Sequence, residues 1–545
     1  MLDLHPPNCR QWKLAKSYTA KTLHSTARLG RLAASGPRSF RLLDLPSEIV
    51  DEVVQNLSFS DLKNLQVTSS GLRRHATRAL WAHVDINASV GLDPGVRPQM
   101  APYLGSDCQS VCFPSSLECH HNCRRGYVPV NTFNIEALWK TSVTGQGPHG
   151  MPFNYVQCLS FYLDDTSPIL LGQLNNPAGG SGGNGASPDL LFKWFLLQVV
   201  PRYFTNVKVV EINTGYRCVS VDILQAVVSY ASTVFPGAAL NVEAWIPNGP
   251  TSHCDLDIIT PTSKNLRLFF GTDPSHKKTL ANILTRPLPS GTESLFLHIN
   301  SDIEVPRWVL INFFKNCSNL KVLSIKGILC EEMDWIPQCV EKLCIDCNDN
   351  GCVSSPKYHT PSVTLLPSVT YLRIINASNI PIFPLQLPNV TKFVISGKGD
   401  QSSLEVVCQT VLKHAKNVQQ LTCRGIPYAA ITNLALRCPG LTSMVAESDG
   451  SDPENAIQLV ATLEGLHFLY LDLKAFVNMG GDALSLMKLI LQNSPQMETL
   501  LIDHQCALLP RLRRAKEPIN DGYSRVLLLN KAFSLDVPKF RSYYF

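Results

Sequence analysis

One short pattern recurs along this chain and restricts its fold more than any other feature. An apolar residue, two variable residues, a second apolar residue, one variable residue and a third apolar residue form the unit. Copies begin at Val156 (VQCLSF), Val207 (VKVVEI), Leu320 (LKVLSI), Val340 (VEKLCI), Val369 (VTYLRI), Val390 (VTKFVI), Val418 (VQQLTC), Leu441 (LTSMVA), Leu466 (LHFLYL) and Met497 (METLLI). From Leu320 onward successive copies start 20 to 31 residues apart. The stretch SLFLHI at 294–299 reads as a further copy in a poorer register. Alternating apolar positions suit a strand with one buried face. Helical patterns lie between copies, at 404–416, 429–438 and 482–493. Strand, returning helix and strand at this spacing predict parallel strands side by side, with helices covering one face.

Bulk properties exclude several function classes. Hydrophobic residues make up 45% and charged residues 17% of the 545 residues, enough apolar material for a packed core through most of the chain. A formal charge of +5 is small for this length and gives no global reason for nucleic acid or a membrane surface as partner. Apolar stretches such as 190–200 are interrupted by Lys193 and too short to span a bilayer. The 18 cysteines are scattered and no secretory pattern precedes them, so the expectation is a soluble chain in a reducing, cytoplasmic or nuclear compartment. Residues 1–39 carry Arg10, Lys13, Lys16, Lys21, Arg28, Arg31 and Arg38 among Ser, Thr and Ala, a composition shared with mitochondrial transit peptides. Asp3 and the Pro6-Pro7 pair spoil an early amphipathic helix, which favours a flexible basic arm.

The segment from Leu42 to Ile86 is patterned differently. Pro46 stands where a helix would start, and Ser47 and Glu48 suit its first turn. Ile49, Val50, Val53, Val54 and Leu57 follow at helical spacing. Ser60 and Asp61 open a second helix through Leu62 and Leu65, and Leu72, Ala76 and Leu80 mark a third. Three short helices bury little area against each other, so apolar surface is left over for another domain or a partner.

These residues resemble the F-box. Leu42, Leu45, Pro46, Glu48, Ile49, Val53, Val54, Leu57, Asp61, Leu62, Leu65, Ser69, Leu72 and Arg73 fall on its pattern, and Leu80-Trp81 matches a frequent trailing pair. Thr68 departs from the usual Val, and Ser70 from the usual Lys or Arg, which puts a contact by that basic residue in doubt. A chance helical hairpin is the competing reading. The resemblance implies docking on a Skp-family adaptor, and through it on a cullin with its RING subunit. It assigns adaptor contacts to Leu42, Leu45, Pro46, Ile49, Val53, Leu57, Leu62, Leu65 and Leu72.

The repeats in turn resemble leucine-rich repeats. Only Asn348 fills the position where such repeats often keep Asn; Ile328, Ala377, Lys398 and Asp449 stand at the equivalent sites. The array is therefore similar to the irregular repeats of fungal F-box proteins, with an ordinary parallel α/β domain as the alternative. The expected fold is mainly α/β, a small all-helical module followed by a leucine-rich-repeat-like solenoid. The boundaries read as a basic arm at 1–39, the F-box at 40–86, a Cys-rich linker at 87–150, the solenoid at 151–510 and a tail at 511–545. Within each unit the residues between and beside the last two apolar positions point away from the core. An unidentified protein substrate is then expected to meet Tyr371, Arg373, Lys392, Arg424, Glu447, Phe468, Tyr470, Asp472 and Asp503. Aromatic residues and Arg beside charges on neighbouring strands suit an interface.

Other constellations carry less. Cys108, Cys112, Cys119 and Cys123, beside His120 and His121, could close a tetrahedral zinc site, but lack the two-residue knuckle spacing. A loop with free cysteines is the other reading. Cys339, Cys344, Cys347 and Cys352 overlap a repeat strand, where Cys serves as a small buried residue. The run NNPAGGSGGNGASPD lacks the Gly-Lys-Ser/Thr close of a phosphate loop and reads as a surface insertion. Scattered histidines such as His298 and His414 read as structural or solvent-facing, and no catalytic order of residues appears. The expectation is a substrate adaptor in a ubiquitin ligase, not an enzyme. A scaffold outside a cullin ligase, or a zinc-binding protein built on 108–123, are the alternatives.

Overall fold

A computed structural model describes residues 42–55, 57, 59–87, 128–130, 152–163, 194–214, 221–246, 258–271, 275–329, 333–346, 364–375, 385–397, 412–413, 416–447, 453–463, 465–472, 489–490, 492–494, 499–503 and 526–529. The cysteine cluster at 108–123, the basic arm at 1–39, the Gly-rich run, Asn348, Cys347, Cys352, His414 and nearly all of the 404–416 pattern lie outside the described residues. The chain divides into two compact units, Met1–Leu57 with Asp61–Ala79, and Ser58–Ser60 with Leu80–Phe545.

In the first unit a short 3-10 turn, Leu42–Asp44, leads into α1 (Ser47–Gln55), α2 (Phe59–Thr68) and α3 (Arg73–Trp81). The Pro46 carbonyl accepts the first helical bonds, from Ile49 N and Val50 N at 3.0 Å each. Pro46 lacks an N–H, and the helix start is where that loss costs nothing. The apolar stripe of α1 is split between two directions: Val50 and Val54 are buried, while Val53 is 41% exposed. Leu62, Leu72, Ala76 and Ala79 complete the buried set. The Asp51 carboxylate ties α1 to α3, accepting from Arg78 Nη1 at 2.8 Å and meeting His75 Nδ1 at 2.7 Å. Between α2 and α3, Ser69 Oγ accepts the Leu72 N–H at 3.3 Å. A side chain at Gly71 would place its Cβ 2.6 Å from Leu43 Cδ1, so the turn there has room only for glycine unless Leu43 moves.

The second unit is built on one parallel sheet. Its strands are β1 (His83–Asn87), β2 (Val128–Val130), β3 (Cys158–Tyr162), β4 (Val209–Asn213), β5 (Ala239–Ile246), β6 (Ser263–Phe270), β7 (Ser294–Glu304), β8 (Val322–Leu329) and β9 (Lys342–Asp346). A pair of two-residue strands, β10 (Thr364–Leu365) and β12 (Leu385–Gln386), forms a small sheet of its own. The main sheet continues through β11 (Tyr371–Ile375), β13 (Lys392–Ser396), β14 (Gln420–Arg424), β15 (Ser443–Glu447), β16 (Phe468–Asp472), β17 (Thr499–Asp503) and β18 (Val526–Leu529). Apart from β2, which pairs on the outer side of β1, the other fifteen strands among the described residues of this sheet lie side by side in chain order. The array thus starts before residue 151 and reaches Leu529, beyond both boundaries expected for the solenoid.

Every unit named from the sequence supplies a strand of this sheet. In the copies from Val156 to Leu466 the last two apolar positions, such as Leu372 with Ile374 or Phe393 with Ile395, face one continuous core that runs from Val84 to Ile490. The first apolar position precedes the strand and plugs the same core, with Val156, Leu320, Val340, Val369, Val390, Val418 and Leu466 fully buried. Residues flanking this position stitch repeats together. Asn389 and Asn417 donate to the Pro367 and Pro388 carbonyls at 2.8 and 2.9 Å. Thr370, Thr391 and Thr442 donate back to the Glu341, Thr370 and Gln419 carbonyls.

Helices α4 (Val221–Val234), α5 (Ser275–Thr285), α6 (Arg307–Phe314), α7 (Tyr428–Leu436) and α8 (Pro453–Thr462) return between strands. Their apolar residues, among them Val228, Leu284, Phe313, Ile431 and Leu459, join the core. Helix α7 realises the 429–438 pattern almost residue for residue. No helix among the described residues is long and apolar enough to cross a membrane.

Candidate functional site

Two surfaces emerge, one on each unit. On the first, the residues assigned to an adaptor separate by burial. Pro46 and Val53 are exposed, and Leu42, Leu45, Ile49, Leu57 and Leu65 are half-buried. Leu62 and Leu72 are 0% and 9% exposed. Both side chains belong to the buried interior of the described module. Two apolar side chains that sequence reasoning omitted take their place on the surface, Leu43 at 52% and Val67 at 77% exposure.

The second surface is the far face of the sheet, opposite the core. Because strand residues alternate, parallel pairing sets the far-face residues in rows across the strands. One row runs Asn265, Ser294, Val322, Lys342, Tyr371, Lys392, Gln420, Ser443, Phe468 and Thr499. The next runs Glu243, Arg267, Phe296, Ser324, Cys344, Arg373, Val394, Thr422, Val445 and Tyr470. A third joins Trp245, Phe269, His298, Lys326, Asp346, Ile375, Ser396, Arg424 and Glu447. Tyr371, Arg373, Lys392, Arg424, Glu447, Phe468 and Tyr470 all stand in these rows. Asp472 pairs with Asp503 in the β16–β17 register. The structure therefore gathers these residues on one side of one sheet.

The far face is packed at its centre. Phe296, Val322, Cys344, Tyr371 and Val394 are buried although none belongs to the main core. Lys392 Nζ lies 5.3 Å from the centre of the Tyr371 ring. Burial pushes the Tyr371 hydroxyl well above the usual tyrosine range. It also pushes the Lys392 ammonium down to about 8, with the Lys342 charge acting in the same direction. Ion pairs join neighbouring strands in the third row, Lys326 to Asp346 at 3.6 Å and Arg424 to Glu447 at 3.4 Å.

Sequence reasoning missed the half of this face on β5 to β7. Trp245 and Phe269 stack with ring centres 4.7 Å apart, and His298 meets Phe269 edge-on at 5.3 Å. The Arg267 guanidinium lies 4.5 Å over the Phe296 ring and 3.6 Å from the Glu243 carboxylate. Burial raises Glu243 to about 7, against the opposing pull of Arg267 and with a smaller push from Glu211. His298 is driven down to about 3, mainly by burial, then by the nearby charges of Lys326, Arg267 and Arg373. Its Nε2 and Ser324 Oγ are 2.9 Å apart. His298 is thus a neutral ring on the far face, wedged among aromatic and basic neighbours. The alternation of Leu240, Val242, Ala244 and Ile246, and of Leu266, Leu268 and Phe270, was the available signal for these strands.

Metal chemistry finds no support among the described residues, where no group of three His, Cys, Asp or Glu could hold an ion. Cys339 donates to the Cys317 carbonyl at 3.2 Å, and burial pushes the Cys344 thiol up. Cys344 is buried, as expected of a cysteine on a repeat strand, while Cys339 is half-buried.

Comparison with known proteins bears on each unit separately. Residues 42–79 match the F-box domain. They form an F-box. No curated protein matches the chain. Among solved structures, the leucine-rich repeat-containing protein LegL7 from Legionella pneumophila aligns at 14% identity and a TM-score of 0.26, covering 67% of this chain and 94% of its own. The repeat assignment rests on the chain's own register: parallel strands in sequence order, a buried apolar pair on each strand from β3 to β9 and on β11 and β13 to β16, and returning helices. The fold is an F-box module followed by a leucine-rich-repeat-like α/β array.

Proposed function

We propose that this F-box protein is the substrate-recognition subunit of a Skp–cullin–F-box ubiquitin ligase, of the kind with irregular, fungal-type repeats. Its F-box would dock the Skp-family adaptor, which brings the cullin and RING subunit, and its far face would hold a protein substrate. The chain then performs no chemistry of its own; it sets a substrate beside a ligase. One observation carries the reading. The F-box keeps Val50, Val54, Leu62 and Leu72 for its interior and still presents Leu43, Pro46, Val53 and Val67 outward, apolar surface that favours a partner. A repeat array with an extended patterned face supports the other half, since such faces commonly bind proteins.

The test is capture of the adaptor by the full chain carrying Leu45→Arg with Ile49→Arg. Capture should be lost while the far-ultraviolet circular dichroism of the repeat unit is unchanged. Adaptor capture at the wild-type level would refute the assignment.

A further inference from the structure

One position of the repeat carries a recurring cross-link between units. Asn206, Asn389 and Asn417 stand immediately before the lead-in residues Val207, Val390 and Val418. Their amides donate to the carbonyls of Asn154, Pro367 and Pro388, each two residues before the lead-in of the preceding unit. Cys339 holds the same position before Val340, and its Sγ donates to the Cys317 carbonyl at 3.2 Å. Cys317 stands three residues before Leu320, the preceding lead-in. A thiol is a weak donor, so Cys339 stitches its two units less firmly than an amide does. Here, however, the acceptor residue is itself a cysteine.

Covalent geometry keeps Cys317 Sγ within about 5 Å of its own carbonyl oxygen. The two sulfurs are therefore no more than about 8 Å apart. Their lead-in segments run side by side, since the N–H groups of Glu341 and Lys342 both donate to the Lys321 carbonyl at 2.9 Å. Neighbouring strands are spaced by about 4.8 Å, inside the range of about 4.4–6.8 Å that separates the Cα atoms of a disulfide. Both residues are free thiols, Cys317 buried and Cys339 half-buried. Burial pushes the Cys317 thiol up to about 12, and a charge on Cys339 acts in the same direction.

We infer that Cys317 and Cys339 form a reversible disulfide, a covalent form of the stitch between the units of β8 and β9. The oxidant is a low-molecular-weight disulfide such as oxidised glutathione. Cys339, the more exposed of the two, attacks one sulfur of the oxidant as its thiolate and expels the other half as a thiolate. Cys317 then loses its proton to solvent and attacks the Cys339 sulfur, expelling the second half. Two electrons pass from the protein thiols to the oxidant, which leaves as two thiols. Because the thiolate is the nucleophile, the raised Cys317 value makes the second step the slow one. The bond closes a loop around β8 and restrains the unfolded chain, so the oxidised array is the more stable form.

The experiment equilibrates the folded full chain with oxidised glutathione, blocks the remaining thiols with N-ethylmaleimide, and digests with trypsin and a glutamate-specific protease. These cuts place Cys317 on residues 316–321 and Cys339 on residues 333–341, and leave Cys330 on a separate peptide. Mass spectrometry should find the first two peptides joined, and dithiothreitol should part them. Oxidation should raise the thermal midpoint of the wild type by a few degrees. Cys339→Asn restores the amide of the other stitches, so its midpoint should not respond to the oxidant. Circular dichroism checks that this variant is folded, and the peptide map of the wild type decides the matter independently of it. Recovery of both peptides unjoined, each carrying the thiol block or glutathione, would overturn the inference. Either cysteine joined to a different partner would overturn it, as would an equal rise in midpoint for wild type and variant.

Discussion

Glu243 gives the far face a pH dependence that can be worked through. Glu243 is 6% exposed on β5, and its partner Arg267 stands at 3.6 Å, outside the range of a short hydrogen-bonded pair. Burial outweighs that attraction and raises the group from 4.5 to about 7. The folded chain therefore holds this proton over a range where the unfolded chain has released it. Below the unfolded value the group is neutral in both states and costs nothing. As pH rises from there, ionisation favours the unfolded chain, and stability falls until the folded value is passed. With these two values, Glu243 lowers stability by about 2.5 kcal/mol between pH 5 and pH 8. Glu243→Gln keeps the shape and removes the titration. Urea unfolding of both proteins at pH 5, 6, 7 and 8 should show the wild type losing about that much relative to the variant. Parallel pH curves for the two proteins would refute the argument that burial controls this carboxyl.

Three further outcomes follow from particular contacts. Val54→Asp places a charge at a fully buried site of the F-box and should unfold the module, whereas Val53→Asp, at a 41% exposed site, should leave it folded and weaken adaptor binding. Proteolysis of the F-box and adaptor capture distinguish the two. Phe393→Ala empties a fully buried core position between Leu372 and Leu421 and should cost about 3–5 kcal/mol in denaturant unfolding. Gly425→Ala forces a Cβ onto a residue at φ +64° beside the Gly397 carbonyl, and should lower the thermal midpoint by an amount equivalent to about 1–2 kcal/mol.

The repeat was legible because the same three positions do the same work in each copy. In the copies from Val156 to Leu466 the lead-in residue packs at the core before the strand, and the next two apolar residues line it, so apolar side chains are required at fixed spacing whatever the loops do. Strands β5 and β6 escaped for a physical reason. Ser263 stands three residues before Leu266, where other copies keep Val, Leu or Met, and the register slips between Leu240 and Asn241. Thr292, before Leu295, is likewise polar; it is buried because its hydroxyl donates to the Ser263 carbonyl at 2.9 Å. A side chain that satisfies a neighbouring backbone can replace an apolar plug, and no apolar pattern reveals it. In the F-box, the helical stripe showed which residues are apolar but not which way each points. Val50 and Val53 share one short helix and differ only in angle, so burial of one and exposure of the other needed the packed module. The far-face clusters around Arg267 and His298 join residues 24 to 29 positions apart, and only strand pairing brings them together.

The role proposed for this chain is to join a ligase core to a substrate. Its most direct test is assembly from purified parts: the full chain, a Skp-family adaptor, and a cullin carrying its RING subunit, followed by size-exclusion chromatography with light scattering. A single complex containing every component is expected, and it should be lost with Leu45→Arg and Ile49→Arg. A chain that binds the adaptor yet excludes the cullin would contradict it and make the protein a scaffold outside the ligase.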